Sequence, residues 1–154
     1  MKKLLYVLCL SASMMGLNAC TKKNDPAPAP AVVGRWELNR GKLSGFIAPY
    51  TALNSYGIDL YNYDFGSYTS RIDIRVDKSF NNNLRSDGLV SDAVGTWDYT
   101  SPTLTLKYND GDSETYTYTS VDGIEELAAP VQTINFPVSS TATAPGQLQI
   151  IYRK

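Results

Sequence analysis

The sequence predicts an all-β domain: an antiparallel up-and-down β-barrel of about eight to ten short strands, with a β-sandwich as the alternative. Three observations carry that expectation. Apolar and polar residues alternate with period two, again and again, from residue 32 onward. Turn signatures fall between the alternating runs: Asp87-Gly88, Ser101-Pro102, Asn109-Asp110-Gly111-Asp112 and Asp122-Gly123. Beyond residue 31 no stretch carries a long amphipathic pattern of helical period. Successive hairpins close most simply into a barrel, and closure removes the exposed sheet edges.

Each element follows from its own pattern. In Val32 to Asn39, Val32, Trp36 and Leu38 share one face, and Arg35, Glu37 and Asn39 share the other. Residues 40–56 hold no clean period and are punctuated by Gly41, Gly45 and Pro49, which predicts a long loop with one helical turn. Tyr61, Tyr63 and Phe65 alternate with Leu60, Asn62 and Asp64, a second strand. Arg71 to Asp77 is the clearest strand, with Ile72, Ile74 and Val76 pointing in and four charges pointing out. Phe80 to Leu84 is a weak strand, and Thr96 to Tyr99 places Trp97 and Tyr99 on one side. Leu104, Leu106 and Tyr108 form the next inner row, and Tyr116 and Tyr118 the returning one. Ile124 to Leu127 reads as strand or helical turn. Ile134, Phe136 and Val138 make one row, residues 139–146 a loop, and Leu148, Ile150 and Tyr152 a final strand.

Ahead of this domain lies a different kind of sequence. Met1-Lys2-Lys3 is basic, and Leu4 to Leu17 is an uncharged, mostly apolar run. As a helix, those ~14 residues span roughly 21 Å, short of the ~30 Å hydrocarbon core of a bilayer, so the segment reads as an export signal. Leu17-Asn18-Ala19-Cys20 then resembles the lipobox of bacterial lipoproteins. That resemblance implies cleavage after residue 19, lipid (palmitate-type acyl chains) on Cys20, and anchorage in the cell envelope. Thr21, where some of the family carry an inner-membrane retention aspartate, leans the expectation toward the outer membrane. Pro26-Ala27-Pro28-Ala29-Pro30 predicts an extended linker, and at ~3.1 Å per residue residues 22–31 would hold the domain about 30 Å from the acyl chains. The predicted organisation is residues 1–19 signal peptide, 20–31 lipidated N-terminus and linker, and 32–154 barrel domain.

Composition narrows the chemistry. The formal net charge is −1, and loss of Lys2 and Lys3 with the signal would take it to −3. With no basic stripe, nucleic acid is not expected as a partner. There is no histidine, and the two cysteines are Cys9 and Cys20. Beyond the lipid site the expectation is therefore no disulfide, no Cys/His zinc site, no Ser-His-Asp or Cys-His nucleophile, and a protein that is neither enzyme nor cofactor carrier.

Gly34-Arg35-Trp36 opens the domain and Gly95-Thr96-Trp97 repeats the spacing in its middle. This layout, with the terminal Ile151-Tyr152-Arg153-Lys154, resembles the lipocalin-like domains of small bacterial lipoproteins. The resemblance implies that Trp36 plugs the barrel floor with Gly34 beside it, that Gly95 and Trp97 play a matching structural part, and that Arg153 stacks over Trp36. An eight-strand barrel is just wide enough to be filled by side chains or to hold one small ligand. A hollow barrel would place a small apolar ligand among Leu38, Ile72, Ile74, Leu104, Leu106, Tyr116, Tyr118, Leu148 and Ile150; a packed one would make the same residues core. Tyr56, Tyr61, Tyr63, Phe65 and Tyr68 form a dense aromatic set, either a platform for a sugar or a protein partner or ordinary strand residues. Asp110, Asp112 and Glu114 cluster at a hairpin, but the full calcium-loop pattern is missing and Asp-Gly is what such a turn needs, so no metal is expected.

Overall fold

A computed structural model describes residues 27–62 and 67–154. The proposed signal, Cys20, and Tyr63 and Phe65 lie outside the described residues. Among the described residues ten strands account for nearly all regular structure: β1 (Gly34–Ser44), β2 (Gly57–Ile58), β3 (Thr69–Ile74), β4 (Ser79–Ser86), β5 (Leu89–Thr100), β6 (Thr103–Tyr108), β7 (Ser113–Val121), β8 (Ile124–Ala128), β9 (Gln132–Pro137) and β10 (Thr143–Arg153). One short 3-10 turn spans Thr51–Leu53.

Eight strands close an antiparallel barrel in the order β1-β3-β4-β5-β6-β7-β8-β10, with β10 returning to β1. The all-β barrel is therefore the fold, and it is consistent with a lipocalin-like architecture. The closing seam runs from Glu37 opposite Arg153 to Ser44 opposite Gln147. β2 adds to β1 at Gly41 and Lys42, and β9 adds to the first half of β10. Both extra strands lie beyond the closed ring, where β1 and β10 overrun it.

That overrun divides the core. Inside the ring pack Trp36, Ile72, Ile74, Phe80, Trp97, Leu104, Leu106, Tyr116, Leu127 and Tyr152, joined by Val32. Under the overrun lies a second core of Leu43, Phe46, Ile58, Leu60, Phe136, Ala144 and Leu148. Leu38 and Ile150 pack against both.

Several expectations are corrected here. β1 does not end at Asn39; it continues to Ser44 through a bulge between Leu38 and Arg40. One extra residue reverses the parity, so the inward row passes from Trp36 and Leu38 to Gly41 and Leu43. Val76 is exposed instead of inward, because β3 stops at Ile74 and the Asp77 carboxylate accepts from the Ser79 backbone N (2.9 Å) and hydroxyl (2.6 Å), closing a turn. Leu60 to Asn62 form a turn instead of a strand: Asp59 accepts from Tyr61 N (3.0 Å) and Asn62 Nδ2 (2.6 Å), which buries Leu60 and exposes Tyr61. β10 begins at Thr143, inside the stretch expected to be loop, and residues 124–128 are strand.

On the outer face of the seam, Glu126 accepts from Arg40 (2.9 and 3.2 Å) and from Arg153 (2.8 Å). The Arg40 bond first, then the Arg153 bond, hold the Glu126 carboxyl below the ordinary carboxylate range. A depressed folded-state pKa contributes stability that is present above the unfolded value and lost as pH falls through the folded one. Glu126→Gln is therefore expected to cost about 1–2 kcal/mol at pH 7, and urea titrations of variant and parent should converge as pH falls through the depressed folded-state pKa. A gap that does not narrow as the pH is lowered would refute this.

Candidate functional site

The barrel floor is built on two indoles, one tied locally and one tied to the β3–β4 turn. Trp36 Nε1 donates to the Val32 carbonyl (2.8 Å) and Trp97 Nε1 to the Arg75 carbonyl (2.9 Å), so each buried indole is satisfied. Lys78 lies 3.9 Å from the Trp97 ring centre and Lys154 5.2 Å from that of Trp36. The cation over Trp36 is thus Lys154 and not Arg153. Strand alternation turns Tyr152 inward and Arg153 outward to Glu126, and leaves Lys154 to bend back, where it also meets Glu125 at 3.1 Å. Gly34 and Gly95 give both sites their close approaches: a Cβ on Gly34 would lie 2.9 Å from Lys154 Cε.

Above the floor, the aliphatic rows fill the interior. Ile72, Leu104 and Leu106 expose none of their surface, so no water-sized space lies against them, and Ile74 and Tyr116 expose almost none. Leu38, Tyr118 and Ile150 are half-buried. Leu148 belongs to the second core, outside the ring, so it is removed from the expected lining. Aromatic edges complete the packing: Tyr118 meets Trp36 and Tyr99, each at 6.1 Å and 87°, and Tyr116 meets Tyr152 at 6.0 Å.

Toward the opposite end, the interior turns polar. Glu114 lies on the inward row of β7 with Tyr116 and Tyr118, and its Oε2 accepts from Tyr116 (2.6 Å) and Tyr108 (2.8 Å). Asn82 donates to the Tyr108 hydroxyl (3.3 Å) and accepts from the Ser70 hydroxyl (3.2 Å); Ser70 in turn accepts from Tyr152 (3.0 Å). Burial is the main reason that Tyr108 is pushed up to about 12 and that Tyr68, Tyr116 and Tyr152 also rise. The phenols are therefore neutral donors at any ordinary pH, and a carboxylate inside the barrel has fixed partners.

This network reaches a surface cleft through Tyr68 and Ser70. The cleft, of about 360 Å3, opens where β1 leaves β3 at its bulge and the chain after β2 crosses the gap. Its apolar part is Leu38 and Leu60, with Tyr61 and Tyr68 as rings. Glu37 and Asn39 come from β1, Arg71 from β3, and Asn83 and Arg85 from β4.

Of the aromatic set, Tyr61 and Tyr68 meet in the cleft, whereas Tyr56 is exposed away from it. Asp110, Asp112 and Glu114 do not converge. Asp110 accepts from Asp112 N (3.1 Å) on the exposed turn, while Glu114 turns inward. Among the described residues no cluster of three acidic, histidine or cysteine side chains could hold a metal ion. Ser70, Asn82 and the two arginines of the cleft went unmarked in the sequence. One signal was available: Glu114 interrupts an inward tyrosine row with a charge. No protein-family model matches the chain, and no curated protein matches it in sequence.

Proposed function

We propose that the chain is an envelope-anchored binding module of lipocalin-like build, tethered through Cys20 at the outer membrane, whose ligand sits in the mouth cleft while the barrel serves as a rigid, filled scaffold. The observation that carries this reading is the cleft: concave, part apolar, and backed by buried hydroxyls that are already oriented. The packed aliphatic rows argue against an apolar ligand deep inside the ring. The absence of histidine, with no thiol besides Cys9 and Cys20, favours binding over catalysis.

Native mass spectrometry of protein purified from its own envelope is the direct test. A copurified small molecule is expected in the parent and absent from a Tyr61→Ala/Arg85→Ala variant, whose changes fall on exposed side chains. Retention of the molecule by that variant would overturn the cleft. The tether is tested separately: Cys20→Ala should abolish palmitate incorporation and release the protein from the membrane fraction, and label that persists would overturn the anchor.

A further inference from the structure

The cleft has walls of opposite sign. Glu37 on β1 and Asp59 after β2 form one, and Arg71 on β3 and Arg85 on β4 form the other. Glu37 stands opposite Arg71 in the strand register, and Arg85 opposite Thr69, one step beyond the Ser70–Leu84 pair. Glu37 and Arg71 are neighbours in the ladder, yet they form no ion pair with each other; Glu37 lies instead in the field of Arg35 on its own strand. Arg71 Nε faces Asp73 on its own strand at 3.1 Å. The side chains of Glu37 and Arg85 make no ion pair or hydrogen bond among the described residues. Asp59 is held rigid by the Tyr61 amide and Asn62.

Resting on the cleft reading above, we infer that the occupant is a small zwitterion: an anionic group on the Arg71–Arg85 wall, a cationic group on the Glu37–Asp59 wall, and an apolar body over Leu38 and Leu60. A guanidinium matches a carboxylate or phosphate in a planar, forked geometry. An ammonium gains from carboxylates and from the face of a nearby ring, here Tyr61 or Tyr68. The opposed walls also disfavour a ligand of single charge, which would meet attraction on one side and repulsion on the other. Two sources offer this chemistry: an α-amino acid and a phosphoethanolamine headgroup.

Isothermal titration with matched probes tests the inference. Phenylalanine carries both charges, phenylalaninamide only the cation, N-acetylphenylalanine only the anion, and N-acetylphenylalaninamide neither; phosphoethanolamine is the second zwitterion and maltose a neutral polyol. A zwitterion should bind at least tenfold more tightly than any of the others, and which of the two wins identifies the source. Arg85→Gln should reduce phenylalanine to the affinity of phenylalaninamide and leave phenylalaninamide unchanged; Glu37→Gln should do the mirror image with N-acetylphenylalanine. Both side chains are exposed, so an unchanged Tm is expected. Maltose or the neutral amide binding as well as the zwitterions would overturn the inference, as would equal losses for all probes. If no probe binds while Tyr61→Ala/Arg85→Ala still sheds the copurified molecule, the zwitterion falls and the cleft stands; if that variant also keeps its molecule, both fall.

Discussion

Trp36→Ala is expected to destabilise the domain by about 3–5 kcal/mol and to lower Tm by roughly 10–20 °C. Trp36 exposes none of its surface and closes the barrel floor against Val32, with Tyr118 packed on it edge-on. Truncation removes one of the two largest side chains of the core and opens a void that eight strands joined in a ring cannot easily collapse. It also strips the Val32 carbonyl of its donor. Two companions separate these causes. Trp36→Phe keeps most of the volume and loses the N–H, so about 1–3 kcal/mol is expected. Lys154→Ala keeps the indole and removes the cation near the ring together with its bridge to Glu125 and its bond to the Ala31 carbonyl, with an expected loss of about 1 kcal/mol. Denaturant melts that rank the three differently would show that Trp36 is not the floor.

Gly95→Ala is expected to cost about 3 kcal/mol or more, at the upper end of what overpacking produces. The reason is contact and not backbone conformation. A Cβ there would stand 2.0 Å from the Lys107 carbonyl oxygen and 2.9 Å from Phe80 Cε1. A backbone oxygen in the middle of a ladder cannot swing aside; β5 would have to move off β6, and Gly95 pairs with Phe80 on one side and Tyr108 on the other. Gly88→Ala is the contrast. At φ +77° nothing lies within 4 Å of the new atom, so only the left-handed strain of about 1 kcal/mol is expected. Equal melting temperatures for the two variants would refute the contact argument.

Strand identity was largely written in local chemistry. Leu104, Leu106, Tyr116 and Ile72 alternate with polar residues, and all four are interior. Errors arose where a short polar side chain or one inserted residue broke the period. The bulge at Leu38/Arg40 hid the second half of β1, and with it the second core. Asp59 and Asp77 capture nearby amides and end runs that the apolar pattern would have continued. The candidate site was less legible for a different reason. Its network joins Ser70, Asn82, Tyr108, Glu114 and Tyr152, which meet only through the pairing of β3, β4, β6, β7 and β10. Nothing within a window of a few residues announces that Tyr152 will reach a serine 82 positions earlier.

Closure by β10 against β1 has a kinetic meaning. The seam joins stretches more than 100 residues apart, and every other barrel contact is a neighbour-to-neighbour hairpin or a short crossover. A chain emerging N-terminus first, from a ribosome or a pore, can zip its hairpins as they appear but leaves β1 with one free edge until β10 arrives. Through that interval the molecule is an open, sticky ribbon, and whatever shields β1 during synthesis decides how much of it reaches the ring.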